Sequence, residues 1–155
     1  MNKVTIYTDG ACKGNPGKGG CAAVILYTYH GQEYVKEVSK GYKETTNNRM
    51  ELMAAIIGLS LLKNSCEVTI YSDSKYLVDA FNKGWINNWL KNDWKTSNQT
   101  NVKNKDLWIL LLDFNRIHKI TFKWVKGHNN NFYNERCDQL AVRASNQDNL
   151  LIDSN

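Results

Sequence analysis

The chain contains two nearly identical short segments, VTIYTD at residues 4–9 and VTIYSD at residues 68–73. Each alternates apolar and polar residues and is rich in β-branched and aromatic types, which predicts two β-strands. If these strands are parallel neighbours in register, Asp9 and Asp73 project from the same end and face of a sheet, about 4.8 Å apart. Such carboxylates repel unless a cation lies between them, and hard divalent ions take oxygen ligands. The pair therefore predicts a metal site, although a chance likeness of two strands whose aspartates cap the next helix also explains it.

A long apolar segment supplies a third candidate carboxylate. Residues 47–63 are apolar nearly all round, which predicts a buried helix, and Glu51 is their only acidic residue. The small side chains of Ala54, Ala55 and Gly58 let that face approach the sheet closely and carry Glu51 toward the strand ends. A carboxylate near a helix N-terminus is also favoured by the helix dipole alone, so both interpretations of Glu51 stay open at this point.

Two further candidates come from the last third of the chain. Asp138 lies in a predicted helix over residues 134–144, where taken alone it is typical of an ordinary solvated charge. His128 lies in the loop KGHNNN at residues 126–131, and a loop histidine is commonly just surface. For His30, at a hairpin tip, and His118, at a helix end, we expect surface roles only.

The remaining segments predict an α/β layer with a mixed sheet, because strands come first and then alternate with helices. Residues 10–20 are read as a glycine-rich loop, a wide hairpin turn whose missing side chains allow another backbone to approach closely. The other predicted strands are residues 21–29, 33–42 and 120–125, and the other predicted helices are residues 74–82 and 106–117. One domain is expected over residues 1–145, followed by a polar tail, residues 146–155, that frays from about residue 145.

Composition narrows the class of protein. The chain has 155 residues, a net charge of +5 and 42% hydrophobic residues with a single proline, which excludes a disordered or collagen-like chain. No apolar run reaches the roughly 20 residues of a membrane span, and the N-terminus does not resemble a secretory signal. The four cysteines form no Cys-x-x-Cys pair. We therefore expect reduced cysteines, a cytoplasmic location and no membrane partner.

A basic segment, residues 83–106, interleaves tryptophans with lysines. Lysines beside aromatic surfaces can hold a polynucleotide without reading its sequence. Ordinary helix packing and solvated surface explain the same composition. The positive charge of this segment therefore supports nucleic-acid binding only weakly. The residues concerned are Trp85, Trp89, Trp94, Lys83, Lys91, Lys95, Lys103 and Lys105.

Five ordered motifs identify a resemblance that covers about residues 3–144. They are YTDG (7–10), TNNRMEL (46–52), YSDS (71–74), WVKGH (124–128) and NERCD (134–138). Together they closely resemble the bacterial type 1 ribonuclease H family. The resemblance implies a five-stranded mixed sheet flanked by helices, a monomer, and hydrolysis of the RNA strand of an RNA/DNA hybrid with two Mg²⁺ ions, for which Mn²⁺ can substitute.

The resemblance also implies a role for each matching position. The metal-binding carboxylates are Asp9, Glu51, Asp73 and Asp138, and His128 assists proton transfer or product departure. The positions that contact the RNA strand are Gly10, Cys12, Asn15 and Asn47. A DNA phosphate is bound by Thr46 and Asn104, and the DNA channel is lined by Asn48, Trp85, Thr96 and Ser97. The basic segment corresponds to the family's protruding handle.

Some positions depart from the family pattern. Lys75 replaces a commonly uncharged residue, the spacing from Asp73 to Trp85 is one residue longer, and the basic segment carries fewer basic residues. Two other functions remain as alternatives, namely a related two-metal DNA nuclease and a non-catalytic hybrid-binding module. For the enzyme, water is the expected nucleophile, and the products carry 5′-phosphate and 3′-hydroxyl ends.

Overall fold

A five-stranded mixed sheet forms the centre of the computed structural model, which describes residues 1–127 and 131–154. The strands are β1 (Asn2–Gly14), β2 (Gly17–Tyr29), β3 (Gln32–Thr45), β4 (Cys66–Ser72) and β5 (Lys119–Trp124). The helices are α1 (Asn47–Leu59), α2 (Lys75–Asn82), α3 (Trp85–Lys91), α4 (Lys105–Ile117) and α5 (Phe132–Ser145). Their order across the sheet is β3-β2-β1-β4-β5, with β1 parallel to β4 and β4 parallel to β5. The predicted α/β class is confirmed.

The two matching segments are parallel neighbours in register, as their sequences predict. Val4 pairs with Val68, and the register continues to Tyr7 and Tyr71, whose rings stack with centroids 4.9 Å apart. Asp9 lies two residues beyond this last pair on β1, and Asp73 lies two residues beyond it just past the end of β4. The register therefore brings both aspartates to one end of the sheet.

The glycine-rich segment forms a hairpin, as predicted, but the prediction of a wide loop is wrong because the turn is short. Residues 10–14 and 17–20 are paired strand arms, with Gly10 opposite Cys21 and Gly14 opposite Gly17, and only Asn15 and Pro16 lie between the strands. Pattern reading favours a loop because glycine is rare inside strands. Close backbone approach is nevertheless the reason for two of the glycines. A Cβ on Gly10 would lie 2.5 Å from the Glu51 backbone nitrogen, and one on Gly20 would lie 1.9 Å from the Ala141 carbonyl oxygen.

Helices α1 and α5 pack on opposite faces of the sheet. Alternate residues of β2 face each way: Cys21 packs with α1, whereas Ala22 and Val24 pack with α5. On the α1 side, a Cβ on Gly58 would lie 3.0 Å from the Ala23 Cβ. The predicted close approach of α1 to the sheet is thus confirmed.

Helix α1 ends four residues earlier than predicted, at Leu59. The Ser60 hydroxyl donates to the Ile57 carbonyl at 2.8 Å, and Leu61 and Leu62 make tight turns with i→i−3 hydrogen bonds. Serine competes for backbone partners in this way and favours helix ends. Across the described residues, no helix combines the length and hydrophobicity needed to cross a bilayer.

The predictions of a surface role for His118 and of a frayed C-terminal segment are both wrong. His118 is buried, and its Nδ1 accepts a hydrogen bond from the Cys66 backbone N–H at 3.1 Å. Burial also lowers the pKa of His118, and we assign this histidine a structural role. The C-terminal segment, residues 146–154, does not fray: Leu151 pairs with Tyr42 at the free edge of β3.

All four cysteines are free thiols, as predicted.

The tryptophans of the basic segment serve mainly to anchor it. The Trp89 ring lies 5.4 Å from the fully buried Trp108 ring and 6.3 Å from the Trp94 ring. The simpler interpretation of Trp85 and Trp89, helix packing, is therefore confirmed: both lie on α3 and pack against the hydrophobic core, as does Trp94 just after this helix. The lysines of this segment remain at the surface of an anchored element.

Candidate active site

Three carboxylates converge at the end of the sheet where β1 and β4 separate. Asp9, Glu51 and Asp73 each offer one oxygen atom, and these atoms all lie within 4.8 Å of one another. Asp9 comes from β1, Glu51 from α1 and Asp73 from the residue after β4. Asp9 and Glu51 are each 6% exposed and Asp73 is half-buried. Residues that are far apart in sequence thus form one acidic cluster.

The backbone of Gly10 holds two members of this cluster. Its N–H donates to Asp9 Oδ1 at 2.9 Å and to Glu51 Oε1 at 2.6 Å. This shared donor requires α1 to touch β1, which the missing Cβ of Gly10 permits. The position of Glu51 is therefore set by helix-to-strand contact, whereas the helix dipole alone would leave its side chain free.

Asp73 is held by neighbours that leave its carboxylate available. Trp124 Nε1 donates to the Asp73 carbonyl oxygen at 3.1 Å, and Lys75 lies over the Trp124 ring, 4.7 Å from its centroid. The N-cap of α2 is Ser74, whose hydroxyl accepts from the Leu77 N–H. The alternative that Asp73 caps the following helix is therefore wrong, and it fails for Asp9 too, because Asp9 lies inside β1.

Without a metal ion, the cluster disfavours ionisation of Asp9 and Glu51. Burial, together with the charges of Asp73 and Asp138, raises the pKa of Asp9 to about 8. Burial and the charges of Asp9 and Asp73 raise the pKa of Glu51 well above its ordinary value. The Gly10 N–H opposes both shifts but does not cancel them.

The donor set fits a hard divalent cation. Asp73 Oδ1 is buried and has no hydrogen-bond partner among the described residues, which is unusual for a buried carboxylate oxygen. A cation with oxygen ligands would satisfy that atom and would favour the ionised forms of Asp9 and Glu51. Residues of this type and spacing can thus hold a metal ion such as Mg²⁺ or Mn²⁺.

Asp138 lies beside the cluster but outside the group of three. It is half-buried on α5, and its charge contributes to the raised pKa of Asp9. Cys137 fixes α5 against β1, because its thiol donates to the Tyr7 carbonyl oxygen at 3.2 Å. On the same helix, Asn134 Oδ1 is buried without a partner among the described residues. His128 falls outside the described residues, so its predicted role stays a prediction.

The positions expected to contact RNA follow the β1–β2 hairpin and the start of α1. Gly10 adjoins the carboxylates, as described above. The Asn15 side chain accepts from the Asn47 backbone N–H at 3.0 Å, and the half-buried Cys12 thiol donates to the Thr45 carbonyl oxygen at 3.4 Å. The hairpin tip and the helix N-terminus therefore form one continuous surface that leads to the acidic cluster.

The positions expected to contact DNA fall into two places. Thr46, Asn48 and Asn104 line a cavity of about 700 Å³. Trp85, Thr96 and Ser97 line a separate groove of about 280 Å³. Asn48 is therefore grouped with the expected phosphate site and not with the other channel residues.

Comparisons with known proteins agree with this arrangement. The family model of RNase H matches residues 1–146. A ribonuclease H from Rippkaea orientalis is 56% identical over 151 residues, which is 97% of this chain and 90% of that protein. The chain belongs to the RNase H family.

Among solved structures, LC9-RNase H1, a type 1 RNase H with the type 2 active-site motif, matches with a TM-score of 0.83 at 28% identity, covering 100% of this chain and 79% of that chain. LC11-RNase H1 in complex with RNA/DNA hybrid matches with a TM-score of 0.64 at 25% identity, covering 91% and 95%.

Sequence reasoning missed two features of this RNase H site. A Cβ on Gly127 would lie 2.8 Å from Asp73 Oδ2, so the backbone after β5 approaches the cluster directly. Arg49 is 2% exposed and binds both Asp106 and Asp153. A buried arginine inside an apolar helix is a signal that could have prompted a search for acidic partners.

Proposed function

We propose that this member of the RNase H family hydrolyses the RNA strand of RNA/DNA hybrids, with Asp9, Glu51, Asp73 and Asp138 as its metal-binding carboxylates. The observation that carries the proposal is the convergence of three carboxylate oxygens within 4.8 Å. In addition, the buried Asp73 Oδ1 lacks a hydrogen-bond partner among the described residues. The 56% identity to a ribonuclease H over nearly the whole chain supports the substrate class.

The carboxylates would hold two divalent ions, Mg²⁺ with Mn²⁺ as a substitute. When bound, such ions stabilise charge on the phosphate oxygens and lower the pKa of water. The part played by this chain is to fix its ligands in advance. Gly10 orients Asp9 and Glu51, and the sheet register places Asp73 opposite them.

Water is the nucleophile in this proposal. The two serines beside Asp73 are already engaged: the Ser72 hydroxyl accepts from the Ser74 N–H at 3.0 Å, and the Ser74 hydroxyl caps α2. Among the described residues, neither hydroxyl donates to a base that could activate the serine. Attack of water on phosphorus with cleavage of the bond to the ribose 3′-oxygen would leave 5′-phosphate and 3′-hydroxyl ends. We expect His128 to assist proton transfer or product departure.

Recognition of the hybrid would use both strands. The surface formed by Gly10, Cys12, Asn15 and Asn47 would contact the RNA, whose 2′-hydroxyl is both donor and acceptor. The cavity lined by Thr46 and Asn104 also includes Lys103 and Lys105, which suits a phosphate of the DNA strand. The crystal of LC11-RNase H1 with a hybrid supports this substrate.

A cleavage assay on labelled substrates tests the proposal. We expect hybrid to be cleaved with Mg²⁺ or Mn²⁺, no cleavage with a chelator, and little cleavage of DNA duplex or RNA duplex. Preferential cleavage of DNA duplex would favour the related DNA nuclease. Tight hybrid binding without cleavage under every metal condition would favour the non-catalytic module.

We also infer that the chain works as a monomer in the cytoplasm. Its four free thiols, three of them buried, support a reducing compartment. Light scattering of the purified protein tests the monomer, and fractionation of cells that express it tests the location.

A further inference from the structure

The C-terminal segment, residues 146–154, is built into the edge of the sheet. The Leu151 N–H donates to the Gly41 carbonyl oxygen at 2.8 Å, and the Lys43 N–H donates to the Leu151 carbonyl oxygen at 2.8 Å. A Cβ on Gly41 would lie 2.8 Å from the Leu150 side chain, so the two segments are in contact. This pairing fixes the path of the chain and carries Asp153 to the start of α1.

Asp153 binds the guanidinium of Arg49 with both carboxylate oxygens. Arg49 Nε donates to Asp153 Oδ2 at 2.7 Å and Nη2 donates to Oδ1 at 2.9 Å. The Thr45 hydroxyl donates to the same Asp153 Oδ2 at 2.7 Å. The side chains of Arg49 and Asp153 are 3% and 4% exposed. This is a buried, bidentate pair, in which geometry is strongly specified.

The other donors of Arg49 hold the wall of the cavity. Its two terminal nitrogens donate to the two oxygens of Asp106 at 2.9 and 2.7 Å, and Nη1 also donates to Asn104 Oδ1 at 3.2 Å. All five N–H donors of the guanidinium are then used within the protein. Arg49 therefore has no donor left for a ligand, and its role toward the cavity is to position Asn104.

Asn104 is thereby fixed in one orientation. Its oxygen faces Arg49, and its amide nitrogen donates to the Tyr76 hydroxyl at 3.1 Å, which leaves one amide N–H for a ligand. Thr46 is fixed too, because its hydroxyl oxygen accepts from the Arg49 backbone N–H at 3.3 Å, so its O–H remains a donor. Ser154, the residue after Asp153, lines the same 700 Å³ cavity.

We propose that Asp153 is a positioning residue for recognition of the DNA strand: it holds the Arg49 guanidinium, which aims Asn104 into the cavity that would bind a DNA phosphate beside Thr46. The inference rests on the proposed function, because it assigns that cavity to the DNA strand of the hybrid. The C-terminal segment would thereby affect how tightly the enzyme binds that strand.

The test compares wild type with Asp153→Asn on hybrids in which a single DNA phosphate is replaced by an uncharged methylphosphonate, moved one position at a time. In wild type, we expect one position at which this replacement lowers kcat/KM by about tenfold, as for loss of a charge-assisted hydrogen bond. In Asp153→Asn, that penalty falls to about twofold, and KM for unmodified hybrid rises about fivefold while kcat changes by less than about twofold. Asp148→Asn, in an exposed residue of the same segment, serves as the matched control and retains the wild-type penalty.

The ratio of kcat/KM on the two substrates is measured in one protein sample, so a reduced folded fraction in Asp153→Asn cancels out. An unchanged tenfold penalty in Asp153→Asn would overturn the inference and leave Asp153 with a structural role only. Wild-type cleavage with no sensitive phosphate would overturn it as well, while the proposed function stands. Absence of hybrid cleavage by wild type would overturn both.

Discussion

The backbone N–H of Gly10 lies 2.6 Å from Glu51 Oε1 while it also donates to Asp9, so one donor joins a strand residue and a helix residue of the acidic cluster. This contact exists because α1 and β1 touch at a glycine. It explains how Gly10 and Glu51, 41 positions apart, are held together before any metal binds.

Replacement of Gly10 by alanine should therefore damage the site. The added methyl group would lie 2.5 Å from backbone atoms of Glu51 and Met50, which cannot move aside as a flexible side chain could. We expect Gly10→Ala to lower kcat/KM by at least about 100-fold and to destabilise the fold by about 1–3 kcal/mol, as overpacking does. Gly31→Ala is the control. That glycine has a positive φ of 76° and open space around it, so the substitution strains the backbone without a steric clash. Wild-type activity in Gly10→Ala would show that the shared donor is not needed.

Asp73→Asn should separate catalysis from folding. The amide keeps the shape of the carboxylate but removes one charge from the cluster, so we expect kcat to fall by at least about 10³-fold, the scale of a lost electrostatic contribution in a reaction centre. The melting temperature in chelator should stay the same or rise, because repulsion with Asp9 and Glu51 is relieved. Asp113→Asn, at an exposed position on α4, is the control. Near-normal turnover by Asp73→Asn in Mg²⁺ would contradict the assignment.

The raised pKa of Asp9 predicts a pH-dependent stability of the metal-free protein. Its pKa is about 8 in the folded protein against an ordinary value of 3.8, so between these limits the folded state binds more protons than the unfolded state. Stability conferred by the protonated group is complete below pH 3.8 and is lost as pH rises toward about 8. In chelator, Asp9→Asn should therefore become more stable relative to wild type as pH rises from about 6 to 8.

Mg²⁺ should reverse this trend, because binding requires the ionised carboxylates and releases their protons. The increase in melting temperature on addition of Mg²⁺ should be larger at pH 8 than at pH 6. Thermal unfolding at several pH values, with chelator or with Mg²⁺, measures both effects. A metal-induced increase that is independent of pH would contradict the protonated state of the metal-free site.

The lysines of the basic segment should contribute to salt-dependent binding. We expect a triple replacement of Lys83, Lys91 and Lys95 by alanine to weaken hybrid binding and to reduce the slope of log K against log salt by about 0.9 for each phosphate that a lysine no longer neutralises. The control is a triple replacement of Lys3, Lys63 and Lys119, which lie at the end of the sheet opposite the acidic cluster. Fluorescence anisotropy over a range of salt concentrations measures both variants. Equal slopes in the two triple variants would show that the lysines of the basic segment do not contact the hybrid.

The acidic cluster was predictable because its cause is visible in the sequence. The near-identity of VTIYTD and VTIYSD indicates that both are strands in similar surroundings. Their parallel register then places Asp9 and Asp73 together. The small residues on the helix face of Glu51 favoured its approach to the sheet, but the helix dipole explained a carboxylate at this position equally well. Asp138 gave no such signal by itself, and it became a candidate through the resemblance to the RNase H family.

The remaining errors have physical reasons. Glycines at residues 10–20 favour a loop by pattern, whereas several of them make room for a helix packed on a strand. The polar composition of the C-terminal segment favours fraying. Its order comes from the backbone pairing of Leu151 with β3 and from the ion pair of Asp153 with the buried Arg49. Composition and periodicity do not encode such long-range contacts.

Anomalous scattering from a crystal soaked in Mn²⁺ tests the central claim most directly. We predict a peak bound by oxygens of Asp9, Glu51 and Asp73, at about 2.0–2.3 Å as expected for a hard divalent cation. A well-ordered crystal with Mn²⁺ bound elsewhere, and with these three side chains free of metal, would contradict the account.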